Sequence, residues 1–156
     1  EDGTAVVQEG PTRRALDAGA TARGGGTHDS SRAPTPPPSV RLARARARRA
    51  QGDLRGAAKI YEALIATSPR SAPARAATVS LGQLYLELGQ PKRALGAFER
   101  YLGRGSKGPL TEDAAYGRLR ALRALGRTKS LKRHADRFLA EHPKSAYASR
   151  VQRWAE

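Results

Sequence analysis

The chain of 156 residues is 38% hydrophobic and 5% aromatic, which leaves room for one domain whose core is built from small aliphatic side chains. It contains no cysteine, which excludes disulfides, thiolate nucleophiles and cysteine-ligated metals, and no apolar run approaches the about 20 residues of a membrane-spanning helix. The net charge of +15 favours anionic partners of any class, although a preference for Arg over Lys is also what a GC-rich genome produces.

Residues 1–39 are rich in Gly, Ser and Pro and carry four Arg against five Asp and Glu, so the positive charge lies in residues 40–156. The stretch RGGGTHDSSRAPTPPPS cannot bury a core, and we expect a disordered tail that ends in an extended, proline-rich linker. Residues 1–20 hold two short segments that would be marginally stable strands on their own, which indicates the edge of a preceding β domain. There, DGTAVV followed by RRALDAG resembles the closing strands of the FecR-type sensor domain.

From Val40 onward one stretch occurs three times at a spacing of 37 residues, at 52–65, 89–102 and 126–139. Each copy begins with glycine, carries an acidic residue ten positions later and ends in an aliphatic residue. A fixed period of this length predicts a repeat architecture.

Apolar helical patterns precede and follow each of these glycines. Leu119, Leu122 and Leu125, for example, fall on one stripe ahead of Gly126. Glycine supplies a left-handed cap, and Pro91 stands where a second helix begins. The pattern therefore predicts an all-α domain over residues 40–156, made of three helix-turn-helix repeats.

A closing helix is predicted over residues 145–155. Tyr147, Val151 and Trp154 are spaced four and three apart and form an apolar stripe on it. Repeat arrays need such a terminal element because it covers the last hydrophobic face. We therefore expect this helix to be an end cap.

The second repeat carries the residues of a known family motif: Leu81, Gly82, Tyr85, Gly89, Ala94 and Phe98. In this order and spacing they resemble the tetratricopeptide repeat. The resemblance implies a right-handed superhelical arc that binds protein segments and performs no catalysis. The period of 37 is similar to that of repeats in bacterial envelope proteins, such as the lipoprotein of the outer-membrane assembly machinery and the Tol-Pal coordinator.

The resemblance also implies a binding groove on the concave face of the first helices. Carried across position by position, the groove residues form three rows: Arg46, Gln83 and Arg120; Arg49, Leu86 and Arg123; Val79 and Tyr116. A basic groove suits an acidic segment or a C-terminal carboxylate, because Arg binds carboxylates in bidentate fashion. Two alternatives stay open: the repeat arm of a FecR-like envelope sensor, and nonspecific polyanion binding.

No catalytic, cofactor-binding or metal-binding constellation is predicted. His28, His134 and His142 lack a carboxylate placed to complete a metal site, so we expect ordinary surface residues. The acidic residues Glu62, Glu99 and Asp136, one per repeat, are interpreted as structural ion pairs or a solvated ridge.

The basic segment RLARARARRA at residues 41–50 could contact phosphates, but no aromatic residue interleaves it. We therefore favour a protein partner over nucleic acid. The sequence begins with Glu rather than Met, so a signal peptide or a lipid-attachment segment could precede it. We expect membrane association only through such a segment. The envelope resemblance predicts a periplasmic location, with the cytoplasm left open.

Overall fold

The computed structural model describes residues 35–103 and 108–155, and within them the chain is all α-helical. The helices are α1 (Pro38–Ala50), α2 (Leu54–Thr67), α3 (Ala72–Glu87), α4 (Pro91–Leu102), α5 (Thr111–Ala124), α6 (Thr128–Glu141) and α7 (Ala148–Ala155). This confirms the predicted fold class. The predictions for residues 1–34, namely the tail, the β edge and His28, lie outside the described residues.

The helices pack antiparallel as three successive pairs, α1 with α2, α3 with α4 and α5 with α6. Each pair joins the next, because α2 packs on α3 and α4 packs on α5. The first helices also contact one another, α1 with α3 and α3 with α5, while α7 packs against α6. The three predicted repeats and the closing helix are thus confirmed.

Glycine ends the first helix of every pair in the left-handed conformation. The φ angles of Gly52, Gly89 and Gly126 are +82°, +66° and +65°. Other L-residues pay about 1–2 kcal/mol to adopt this conformation. The next residue then donates its N–H back across the last turn, as Gln90 does to the Tyr85 carbonyl at 2.7 Å. This motif ends the first helix and lets the chain turn into the second helix of the pair.

Polar side chains or a proline start several helices, and Pro91 does so as predicted. Asp53 accepts a 2.8 Å hydrogen bond from the Gly56 N–H at the start of α2. Ser71 accepts one of 3.2 Å from Ala74 N–H at the start of α3. Pro91 occupies the first position of α4. The two polar side chains satisfy N–H donors that have no partner within the helix, whereas proline has no N–H that needs one.

Two helix starts differ from the sequence-based boundaries. The first helix begins at Pro38 rather than at residue 40, since proline fits a first helical turn. The closing helix begins at Ala148 rather than at Ser145. The Ser145 hydroxyl accepts the Tyr147 N–H at 3.0 Å and its carbonyl accepts the Ala148 N–H at 3.0 Å, so residues 145–147 form a turn instead.

The core runs through all three pairs and is rich in alanine and leucine. Its largest fully buried side chains include Tyr61, Phe98 and Phe138, all from second helices. No helix within the described residues combines the length and apolar character needed to cross a bilayer.

Candidate binding site on the first helices

Two clefts open along the first helices, and each contains residues that the sequence predicted for a groove. The α1–α3 cleft has a volume of about 430 Å³. It is lined by Arg46, Arg49, Ala50, Leu54, Tyr61, Ser80 and Glu87. The α5–α7 cleft has a volume of about 520 Å³. It is lined by Tyr116, Arg120, Arg123, Ala124, Arg150 and Trp154.

The remaining predicted groove residues belong to α3. Gln83 and Leu86 are half-buried and line neither of these two clefts. Val79 departs from its predicted row, because its side chain is only 3% exposed and packs in the core. Helix α3 contacts α1, α2, α4 and α5, and this packing buries the side chain of Val79. Val79 is therefore part of the hydrophobic core and is not available for contact with a partner.

The α1–α3 cleft contains an internal ion pair. Arg49 Nε donates to Glu87 Oε2 at 3.3 Å, and Arg49 Nη2 donates to the other carboxylate oxygen. This bidentate arrangement is the strong form of an arginine–carboxylate contact. It neutralises one of the two arginines in the cleft and leaves Arg46 as the remaining cation there.

Two arginines of the α5–α7 cleft contact aromatic side chains. Arg150 Nη1 donates to the Tyr116 hydroxyl at 2.9 Å. The Arg123 guanidinium lies 5.2 Å from the centroid of the Trp154 ring, a cation–π distance. Neither contact cancels the positive charge. Arg120 is exposed, and no described carboxylate forms a salt bridge with any of these three arginines.

A stack of three aromatic rings fixes one side of this cleft. The Tyr116 ring of α5 lies parallel to the Tyr147 ring, with centroids 4.0 Å apart and planes 4° apart. It also stacks with Trp154 at a centroid distance of 5.6 Å. Tyr147 directly precedes α7, Trp154 lies in its last turn, and Val151 is its buried residue. The predicted end cap therefore also builds the wall of a cleft.

Two polar contacts anchor α7 on the first turn of α5. Ser145 Oγ donates to Glu112 Oε1 at 2.6 Å, and the Tyr147 hydroxyl donates to Asp113 Oδ1 at 3.0 Å. The hydrogen bond to Asp113, and then burial, raise the pKa of Tyr147. Both carboxylates lie at a helix N-terminus, where negative charge is favourable. These contacts fix the N-terminal end of α7, which forms one wall of the α5–α7 cleft, to α5.

The acidic residues that occur once in each repeat, Glu62, Glu99 and Asp136, include both a structural ion pair and solvated side chains. Glu62 accepts hydrogen bonds from the Tyr85 hydroxyl and from Arg93 Nη2, the latter at 2.8 Å. Glu99 and Asp136 are exposed and form no ion pair with a described residue. One position is therefore structural and two are solvated.

The arginine-rich segment of α1 is partly used by the chain itself. Arg41 Nη1 donates to Thr67 Oγ1 at 2.7 Å, and Arg48 Nη1 binds Asp53 Oδ2 at 2.6 Å. The Arg48 hydrogen bond is the main cause of the lowered pKa of Asp53. Arg44 and Arg46 form no salt bridge with a described residue.

Another cavity, of about 990 Å³, lies between α4, α5 and α6. The carboxylates Glu99 and Glu141 line it together with Arg118 and Arg137, so it has no excess of one charge. Burial lowers the pKa of Arg118. Gly103 and Gly108 also line this cavity.

The described histidines show no sign of metal chemistry. His134 is half-buried, and burial followed by the nearby Arg118 lowers its pKa. The His142 ring lies 5.1 Å from that of Phe138. Within residues 35–103 and 108–155, no three His, Asp or Glu side chains are grouped so that they could hold a metal ion.

Residues 42–109 and 79–130 match the family model of the tetratricopeptide repeat, and the chain belongs to this family. No curated protein matches the chain at a significant level. Domains of this family are generally scaffolds for protein–protein interaction and are typically not catalytic.

Sequence reasoning missed two charged residues of the site, Glu87 and Arg150. Glu87 follows Arg49 by 38 positions, one more than the period. Arg150 follows Tyr116 by 34 positions, and Tyr147 follows Asp113 by the same number. The offset between contacting residues of neighbouring repeats is near the period but varies, because it depends on how the helices are packed.

Proposed function

We propose that this chain is a scaffold that binds an acidic segment of a partner protein along its first helices. The observation that carries this proposal is the set of arginines in the two clefts, of which Arg46, Arg120, Arg123 and Arg150 have no carboxylate partner among the described residues. Guanidinium groups recognise carboxylates with directed, charge-assisted hydrogen bonds.

The charges of the described residues support an acidic partner. They include 23 Lys and Arg against eight Asp and Glu. Six of those eight acidic side chains are already bound by groups of the same chain, four in ion pairs and two by Ser145 and Tyr147. The charge available to a partner is therefore basic.

The experiment compares two double variants. Arg120→Glu with Arg123→Glu reverses charge inside the α5–α7 cleft, whereas Arg41→Glu with Arg44→Glu reverses it at the edge of the array. We expect the first pair to abolish binding of an acidic peptide and the second mainly to slow association, since charges at a rim act on the encounter rate.

Duplex DNA, measured at two salt concentrations, separates this proposal from polyanion binding. A polyanion binder loses affinity steeply with salt and is indifferent to which arginine is removed. Equal losses from both pairs, with the same salt slope for peptide and DNA, would overturn the scaffold proposal.

The cellular setting stays a prediction. The 37-residue period resembles that of bacterial envelope repeats, and this resemblance is what supports a periplasmic location. The FecR-like sensor arrangement depends on residues before Thr35, which are outside the described part of the chain. Residues upstream of Glu1 would test both: a lipid-attachment signal would favour the envelope, and a complete β domain would favour the sensor.

A further inference from the structure

The two clefts occupy equivalent positions in the array, two repeats apart. Arg46 and Arg120, Arg49 and Arg123, and Ala50 and Ala124 are each separated by 74 residues, twice the period. Ser80 and Trp154 are related in the same way. Because the backbone positions correspond, a difference in chemistry between the clefts comes from the side chains that line them.

The first difference is charge. The α1–α3 cleft contains two arginines and the carboxylate of Glu87, which is bound to Arg49. The α5–α7 cleft contains three arginines, and no carboxylate of the described residues lines it. Between the clefts, α3 carries Gln83 and Leu86 at the positions that hold arginine in α1 and α5. The positive charge that lines the clefts and has no carboxylate partner among the described residues is therefore greater in the α5–α7 cleft.

The second difference is preorganisation. Arg123 lies over the Trp154 ring and Arg150 is held by the Tyr116 hydroxyl, so both guanidinium groups are positioned without being neutralised. Arg49 is also positioned, but by an anion that a ligand carboxylate would have to displace. A site whose donors are already ordered loses less entropy on binding.

From this asymmetry we infer that the acidic end of the bound segment lies in the α5–α7 cleft, held by Arg120, Arg123 and Arg150, and that its neutral part extends over α3 towards α1. Helix α7 is then part of the binding site as well as a cap, because it supplies Arg150 and Trp154. The inference rests on the proposed function and adds the orientation of the ligand and the distribution of its charge.

Two synthetic peptides of identical composition test this inference. In one the glutamates are grouped at one end and the remaining residues are neutral; in the other the glutamates are spread evenly. Affinities are measured by calorimetry. Trp154 is the single tryptophan of the chain, so its emission reports directly on the α5–α7 cleft. We expect the grouped peptide to bind more tightly and to change this emission.

The repeat itself provides a matched control. Arg120→Ala with Arg123→Ala should weaken binding of the grouped peptide about 10-fold to 100-fold, because charge-assisted hydrogen bonds are lost. Arg46→Ala with Arg49→Ala, at the equivalent positions, should change it by less than about threefold, as expected for charges outside the contact. Melting curves establish that all variants are folded.

The outcomes separate the two proposals. If both peptides bind equally well and both arginine pairs cause equal losses, the inferred orientation is wrong while the scaffold function stands. Unchanged Trp154 emission on binding, with the larger loss from Arg46 and Arg49, places the acidic end at α1 and also overturns the inference. If neither peptide binds, the proposed function fails and the inference fails with it.

Discussion

The ring of Phe98 in α4 packs against the backbone of Gly117 in α5. A Cβ atom at Gly117 would lie 2.3 Å from Cζ of this ring. The same ring faces Gly82 of α3, where a Cβ atom would lie 2.7 Å from Cε1 and Cζ. One fully buried phenylalanine therefore fills the space between two neighbouring first helices, at places where only glycine fits.

Replacing Gly117 with alanine should destabilise the fold. The added methyl group forces the buried ring to move, and overpacking of this kind costs about 1–3 kcal/mol. Gly96→Ala is the matched control, since Gly96 lies in α4 with nothing within 4 Å of its Cβ position. That change should stabilise the protein by about 0.5–1 kcal/mol through helix propensity. Denaturant unfolding measures both, and equal stabilities would contradict the packing argument.

Trp154→Ala should lower the free energy of unfolding by about 1–3 kcal/mol, because the half-buried indole loses its contacts with Tyr116 and Arg123. Unfolding is followed by circular dichroism, since the substitution removes the only tryptophan. Arg153→Ala, at an exposed position of the same helix, is the control. An unchanged unfolding curve for Trp154→Ala would mean that α7 does not stabilise the array.

Glu87→Gln should create a second anion site. The substitution frees Arg49, so the α1–α3 cleft then holds two arginines without a carboxylate, and an acidic peptide should gain a weaker second binding step in calorimetry. Glu141→Gln changes the net charge equally and breaks the Arg137 ion pair on α6, outside both clefts. It should add no such step. Both pairs are partly exposed, so each change should alter stability by about 1 kcal/mol or less.

The stability of the fold should fall in strong alkali in a way that depends on Tyr85. Burial, and then the hydrogen bond to Glu62, raise the pKa of Tyr85 from 10.0 to about 12. The folded protein therefore retains this proton while the unfolded chain loses it, so the contribution to stability is complete below pH 10 and is lost as the pH rises through about 12. Unfolding of the wild type and of Tyr85→Phe is compared across this range. The advantage of the wild type should shrink with rising pH, and a constant difference would contradict the raised pKa.

Much of the fold could be predicted because its signals are local. Gly52, Gly89 and Gly126 end helices through their own backbone freedom, and a cap such as Ser71 acts within one turn. The apolar stripes then predict which side of each helix is buried. The wrong start predicted for the closing helix also has a local cause. Ser145 forms a turn where a helix was predicted, because its side chain accepts a hydrogen bond from the Tyr147 N–H.

The candidate site could be predicted only in part. The repeat spacing placed Arg120, Arg123 and Tyr116 on one helix face, and these residues do line one cleft. The spacing could not show that Val79 is buried, since its exposure depends on the helices packed on either side of α3.

By itself, the sequence determined the helical repeat, its period, its turns and its excess of positive charge, because each of these follows from residue type and spacing along one chain. Only the tertiary structure decided which charges are free. Glu87 neutralises Arg49, whereas Arg123 and Arg150 are held by aromatic groups that leave their charge intact. These pairings join residues 31 to 38 positions apart, and the exact offset depends on the rotation and spacing of packed helices. A sequence period fixes which helices are neighbours, but the side chains that meet between them are set by the geometry of packing.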